Sequence, residues 1–506
     1  IDINSENLTG GFGLSLGEFI NLNTKRPAEF TLKLTPQGYA AFRSHVDKNY
    51  TGNFVLTEPT TATLKLNSLR LPRTESYFQS GIEGEFSVDK LIGMDIQKQN
   101  NITLNSINGH LASSNISENI DFDMQANGHT DQGIPTAWNL AGTLNKGFLP
   151  DGTINRQDLS MTLDANVQSL PISLLCQFAC VDPKLKQKIE IVLGSKINGK
   201  IKTQLQRMNG PLFVELNGEN GRFTIDAFLN QGIMTLNQDL KAQLTVSPQL
   251  GEYVLKDLIP VLSGMLSADH PIHLTIGKDG FALPLRNPSA TTVAIGNAVL
   301  EMGKVHFSGE SQIAKVLNLL TPATSDQLVW LTPAYFSLNQ GLLKLQKVDM
   351  LISDRYPIAA WGDADIAKDK VNMVIGLSGS AISKAFKVPK IANSYFLQLP
   401  LKGKLSNPSI DKTKAIGRIS ALVAQSQGGA EGLVLGAVLD IASGSLTENS
   451  IPSPSTNPLP WSNLMQNSEV SAPEQREGTN PEGKSKPNTI EEIGKGASSL
   501  LKKIFR

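Results

Sequence analysis

The chain is 506 residues long, enough for three or so ordinary domains or for one array whose core is built repeat by repeat. Lys and Arg total 46, as do Asp and Glu, so the net charge is zero, no global field draws in nucleic acid, and a polyanion-binding role has no support. Charged residues make up 18%, against an average of about 25%, and Asn, Gln, Ser, Thr and Gly fill the difference, as is common in strand-rich envelope proteins.

Taken in chain order, the first motif is Gly13-Leu14-Ser15-Leu16-Gly17, which matches the Gly-x-Ser-x-Gly string of a nucleophile elbow. An elbow needs a strand before it, a helix after it and alternating α/β sequence around it. Here antiparallel-type strands follow, so the string reads as a glycine-rich turn. From Phe30 to Ile410 apolar residues recur with a period of two, broken every eight to twelve residues or so by Gly, Asn or Asp. Examples are Phe30, Leu32 and Leu34; Ile120, Phe122 and Met124; Leu159, Met161, Leu163, Ala165 and Val167; and Leu212, Val214 and Leu216. The pattern predicts many half-buried strands joined by tight turns.

Three helical inserts are expected among them. One runs from about Pro171 to Leu193, with Leu174, Leu175, Phe178 and Val181 at helical spacing; one from about Glu252 to Leu266; and a shorter one from about Ser311 to Leu320. They read as caps or lids over a sheet. Cys176 and Cys180 fall four apart on the first insert, as structural thiols, a local disulfide or half of a metal site. The metal reading needs two more ligands at matching spacing, and the histidines at 45, 110, 129, 270, 273 and 306 are scattered. His270-Pro271-Ile272-His273 reads as the opening of a strand. Ile272, Leu274 and Ile276 lead through Gly277-Lys278-Asp279-Gly280 into Phe281, Leu283 and Leu285, the pattern of a hairpin, and Asn339-Gln340-Gly341 marks a second one.

After Ile410 the character changes. The expected organisation is a β-rich N-terminal part (1–170), a β-rich middle part with helical inserts (171–330), a C-terminal β region (331–412), a helical segment (413–443), a disordered Pro/Ser/Asn linker (444–488) and an amphipathic helix (489–506). Thr489-Ile490-Glu491-Glu492 forms a capping-box pattern for that helix, and Ile493, Leu500, Leu501, Ile504 and Phe505 share one face, with basic residues gathered toward its end. This face is expected to dock on a membrane surface or an envelope protein. The chain begins at Ile1 without an initiator Met and is read as a fragment or a processed form.

The segment from Leu331 to Ile410 resembles the C-terminal region of the AsmA family. The carriers are Tyr335-Phe336-Ser337-Leu338-Asn339-Gln340-Gly341, Val348-Asp349-Met350-Leu351-Ile352, Trp361-Gly362-Asp363-Ala364-Asp365-Ile366, and the closing run from Leu399 to Asp411. Leu170-Pro171-Ile172 and the stretches around Tyr253 and Phe281 look like segments of other AsmA-like proteins. The resemblance implies a periplasmic protein of a Gram-negative bacterium, anchored in the inner membrane through an N-terminal segment absent from this chain. It further implies a role in outer-membrane homeostasis, and the larger family members look like bridge-type lipid carriers with a U-shaped sheet.

The expected fold is therefore mainly β: an elongated, curved antiparallel-type sheet forming a U-shaped apolar groove, with short helical inserts and the amphipathic C-terminal helix. Ile358, Ile366, Val371, Met373, Ile375, Leu377, Leu397, Leu399 and Leu401 alternate with polar or small neighbours and are the candidates for contact with phospholipid or another acyl lipid. Asp349, Asp354, Asp363, Asp365 and Asp369 lack the turn glycine and ligand spacing of a calcium loop, and Asp349, Asp363 and Asp365, which alternate with apolar neighbours, are placed on the solvated face of strands. No metal, cofactor or catalytic residue is expected. Three readings stay open: a lipid-binding or lipid-conducting envelope protein, a scaffold or assembly factor for outer-membrane proteins, and an enzyme or sugar-binding solenoid.

Overall fold

A computed structural model describes residues 2–22, 28–46, 54–73, 77–95, 100–130, 133–149, 151–155, 157–172, 175, 183–256, 262, 264–311, 326–386, 391, 395–405, 407–410, 415, 417–419 and 451–462. The chain divides into two compact units, the first from 1–244 and 274–296, the second from 245–273 and 297–506.

In the first unit each strand pairs antiparallel with the next along the chain or with its near neighbour. The order runs from Leu8–Gly11 through Ala28–Leu34, Thr60–Pro72, Gly81–Val88, Asn100–Asn115, Asn119–Thr130, Pro135–Asn145, Ser160–Pro171, Lys196–Leu205 and Gly210–Gly218 to Gly221–Asn230. The register lines up apolar residues in rows across the strands. One row reads Phe30, Leu64, Phe86, Gly109, Met124, Leu140, Ala165, Ile201, Val214 and Ile225. The row beside it reads Leu32, Ala62, Val88, Ile107, Ala126, Trp138, Val167, Gly199, Leu216 and Phe223. The reverse face carries Thr31, Thr63, Ser87, Asn108, Gln125, Asn139 and Asn166 in register, so the sheet is amphipathic from side to side.

Holding those rows requires bulges, because several strands change the parity of their apolar residues partway along. Leu64 and Leu66 give way to Leu69 and Leu71, and the register shifts between Leu66 and Ser68. Ile102 and Leu104 give way to Ile107, with a shift between Leu104 and Ser106, and Val167 gives way to Leu170. Each extra residue returns the later apolar side chains to the face of the earlier ones. Ser169, inside the third bulge, takes φ 47.

Cover for this face comes from the margins. The helix Pro183–Leu193 contributes Ile189, Val192 and buried Leu193 to a cluster with Ile107, Ala126, Leu170, Ile172 and Ile197, and Tyr39 of the helix Pro36–Val46 joins it. A second cluster gathers Leu205, Ala227, Leu229, Met234, Leu236 and Phe281.

The second unit is built on Gly303–Phe307, Gln327–Leu331, Ala334–Asn339, Leu342–Ile352, Tyr356–Asp365, Lys370–Ser378, Phe396–Lys404 and Asn407–Ile410, all antiparallel. The hairpin expected at Asn339-Gln340-Gly341 is present: Asn339 pairs with Leu342, and Gln340 and Gly341 take φ 48 and 79, the doubly positive turn that matches strand twist. In the strand Leu342–Ile352 a register shift between Leu345 and Val348 again moves the apolar set from odd to even positions. The helix Gly379–Phe386 packs on the strands Tyr356–Asp365 and Lys370–Ser378, with Ala381 and Ile382 buried.

The curved, U-shaped groove is not what forms. Helices are few and short, as expected, but the antiparallel sheet is neither curled nor closed. Curling a sheet takes bulges or glycine kinks repeated at matching heights on successive strands, whereas here the bulges are not carried from strand to strand: between the bulged strands Asn100–Asn115 and Ser160–Pro171, both pairings of Pro135–Asn145 run without a shift. Other expectations change locally. Leu170 and Pro171 end a strand, opposite Ile197 and Lys196, while Ile172 and Leu175 are helical, as expected, and a helix is described over Pro183–Leu193. Met265 and Leu266 belong to the strand Met265–Ala268, and helical turns are described from Pro248 to Leu255 and at Leu262. Gly280 does sit in a turn at φ 76, but Leu283 and Pro284 beyond it pair with Met234 and Ile233. Residues 312–325 and both cysteines lie outside the described residues.

Two glycines distinguish bulge from open strand. A Cβ on Gly128, opposite the bulge at Leu104, would stand 2.0 Å from the Thr103 carbonyl oxygen and 2.8 Å from the Leu104 Cα, backbone that cannot yield without breaking the ladder. The atoms nearest a Cβ on Gly109 would all belong to the Phe86 ring, a side chain that can move. Gly128→Ala is expected to cost roughly 1–3 kcal/mol, as overpacking does, and Gly109→Ala less, read as shifts in the denaturation midpoint of the first unit.

Candidate functional site

The residues nominated from sequence for lipid contact do share one face of the second unit. The register sets Ile358 opposite Leu377 and Leu377 opposite Leu397, Ile375 opposite Leu399, and Met373 opposite Leu401. That face is dry. Met373 is 2% exposed, Leu377 0% and Leu399 1%, and Ile358, Val371, Ile375, Leu397 and Leu401 are likewise buried; only Ile366 is partly exposed. Ile493, Leu500, Leu501, Ile504 and Phe505 lie outside the described residues.

The polar motifs resolve into structural roles. Ser15 is exposed in a short hairpin, and its hydroxyl donates to the Asn21 carbonyl at 3.4 Å. His270 and His273 are exposed. Asp365 accepts from the Lys368 backbone and ion-pairs with its ammonium at 2.9 Å, which holds the carboxyl below its usual range, while Asp369 accepts from the Leu405 backbone at 3.1 Å. Among the described residues no group of three or more His, Cys, Asp or Glu could hold a metal ion, and no helix is long and apolar enough to cross a membrane.

Asp349 departs from its expected solvated place. It is 5% exposed and Lys347 3%, with Nζ and Oδ1 3.1 Å apart. The Lys347 ammonium also lies 4.5 Å from the centre of the Phe396 ring, and Thr332 brackets the Asp349 backbone with hydrogen bonds on both sides. Lys347 lies within the register shift between Leu345 and Val348, and from it to Ile352 both faces of the strand are buried. Burial raises the Asp349 carboxyl above its usual range, with the Lys347 charge opposing.

What the geometry offers as a site lies in the first unit. Beside these clusters the row from Phe30 to Ile225 is only partly buried: Phe30, Phe86, Met124, Leu140, Ile201, Val214 and Ile225 are all partly accessible, with Phe86 packed against the first cluster and Ile225 against the second. Leu32, Leu64 and Leu111, on three nearby strands of this same face, are 39%, 41% and 37% exposed. The surface has low relief, because large side chains lie down over glycines of the adjacent strand. Phe86 covers Gly109, Phe122 covers Gly142 and Leu216 covers Gly199, closely enough that a Cβ on any of the three glycines would stand under 3.0 Å from the covering side chain. Sequence alternation had marked these strands as half buried without nominating them. The signal that could have done so is that apolar residues on one face of successive strands outnumber the apolar faces of helices predicted to cover them.

The buried pair sets a testable energetic pattern. Asp349→Leu alone strands a buried ammonium and is expected to cost about 3–5 kcal/mol, whereas Lys347→Met with Asp349→Leu recovers most or all of it, measured by chemical denaturation. Because the folded carboxyl has a raised pKa, its contribution is fully present below the unfolded value near 4 and fades as pH rises through the folded value. The stability difference between wild type and Asp349→Asn should therefore shift in favour of wild type on going from pH 7 to pH 4. Comparison of the chain with protein-family models, curated proteins and solved structures finds no match.

Proposed function

We propose that the chain is an AsmA-like envelope protein that binds or conducts phospholipid between inner and outer membrane, and that it holds acyl chains on the half-exposed apolar face of its first unit. The observation that carries the reading is that face, in which consecutive rows of Phe, Leu, Ile, Val and Met run across successive strands with cover at the margins. Apolar surface on that scale marks an interaction site or an aggregation hazard. Low relief favours an extended hydrocarbon, which needs contact area and no sockets, and each methylene removed from water contributes about 0.8 kcal/mol. The lipid site thus moves away from the buried set around Met373 and Leu399. In this reading the protein works in the periplasm, and the sequence pattern of Ile493, Leu500, Leu501, Ile504 and Phe505 supplies its contact with a membrane surface or an envelope protein.

Photo-crosslinkers at Leu64 and Met124 are expected to capture phospholipid in cells, and those at Lys65 and Gln125, on the reverse face, are not. Mass spectrometry of the purified chain should find co-purified lipid. Leu64→Asp places a carboxylate where contact with hydrocarbon costs several kcal/mol and should strip that lipid while leaving the melting transition in place. Equal labelling of both faces, or lipid-free protein, sinks the reading, and capture of outer-membrane proteins by the same crosslinkers would favour an assembly factor in its place.

A further inference from the structure

Residues 451–462, Ile-Pro-Ser-Pro-Ser-Thr-Asn-Pro-Leu-Pro-Trp-Ser, fall inside the stretch expected to be a linker. They pair with no described strand, yet they are seated on the second unit. Trp461 is 2% exposed, and its ring centre lies 6.1 Å from that of Trp330 at an interplanar angle of 55°. The Ser455 and Thr456 hydroxyl oxygens are buried as well, without a hydrogen-bond partner among the described residues. The Leu459 carbonyl accepts from both the backbone and the hydroxyl of Ser462, at 3.0 and 2.7 Å, a turn that carries Trp461 between its ends.

The seat has its own logic. In the strand Gln327–Leu331, Gln327, Val329 and Leu331 alternate into the interior, which turns Trp330 to the opposite face. Lys304, directly across the ladder, places its ammonium 4.6 Å from the Trp330 ring centre. The result is an aromatic platform with a cation on it, the chemistry that receives proline-rich and aromatic segments. Four prolines in the strap reduce the conformational entropy lost on docking, and a buried tryptophan supplies the apolar area that a short segment otherwise lacks.

We propose that residues 451–462 are a built-in ligand: a strap whose Trp461 occupies the Trp330–Lys304 platform, separable from the core of the second unit, and fixing the point from which residues 463–506 leave it. The inference is independent of the lipid reading.

The test uses the full chain. Hydrogen exchange on the wild type should show the strap opening on its own, faster than the amides of Leu342–Ile352. Trp461→Ala should make 451–462 at least about tenfold more sensitive to protease while those strand amides keep their protection. A fluorescent peptide of residues 451–462 should bind Trp461→Ala at least about tenfold more tightly than it binds wild type, and should lose that binding when Trp330→Ala is added. The proposal is overturned if the strap exchanges only with the strands, if Trp461→Ala removes protection throughout the unit, or if the peptide fails to distinguish the emptied platform from the filled one.

Discussion

The structure depends on keeping apolar side chains of many antiparallel strands on one face while the sequence repeatedly changes their parity. A strand has a side-chain period of two, so one residue out of step sends every later apolar group to the wrong side. The chain meets this with single-residue bulges. Leu66 to Leu69, Leu104 to Ile107, Val167 to Leu170 and Leu345 to Val348 each cross an odd step, and in each case the register slips so that both partners face the same way. Without those slips the rows through Leu64 and Met124, or through Met350 and Leu377, would break into halves on opposite faces.

The two units use the same device and finish it differently. In the second, the rows end under cover: Met350, Ile358, Leu377 and Leu397 are nearly inaccessible, and the reverse face near the bulge is closed as well, where Lys347, Asp349 and Gln398 are buried and the Arg418 guanidinium donates to the Gln398 carbonyl at 3.0 Å. In the first, helices and short strands cover the margins, and the middle of the face stays half open. A face that is dry in one unit and wet in the other cannot be assigned one role from its sequence pattern, which is the same in both.

That is also why legibility is uneven. The turn at Gln340-Gly341 could be read from three residues because the physics of doubly positive φ is local. Strand identity in runs such as Phe30 to Leu34 or Ile120 to Met124 was equally plain. The parity steps were visible too, since Leu64, Leu66, Leu69 and Leu71 stand in the sequence for anyone who counts them, but a bulge and a broken strand look alike until the partner strand is known. Burial of Asp349 was not legible: its alternation with apolar neighbours is that of a solvated strand face, and only the Phe396 ring beside Lys347 and the burial of Gln398 and Trp361 mark that face as an interior. Trp461 was hidden for the opposite reason, because proline-rich composition argues against a core and says nothing about a segment seated on someone else's.

The absence of curl follows from how these faces are covered. An apolar face drives a sheet to wrap around something only when no other element can lie against it, and wrapping takes kinks placed at one height on strand after strand. In the second unit the helix Gly379–Phe386 lies against the strands and their apolar rows are dry, so nothing remains for a curl to bury. In the first unit the drive is present, but the kinks are not repeated on successive strands: between the bulged strands Asn100–Asn115 and Ser160–Pro171, both pairings of Pro135–Asn145 run without a shift. Low relief offsets part of the cost, because Phe86, Phe122 and Leu216 lie on Gly109, Gly142 and Gly199 and so turn part of their surface against the sheet. What stays exposed is a shallow sheet of hydrocarbon, stable enough to persist uncurled and apolar enough to gain from being covered.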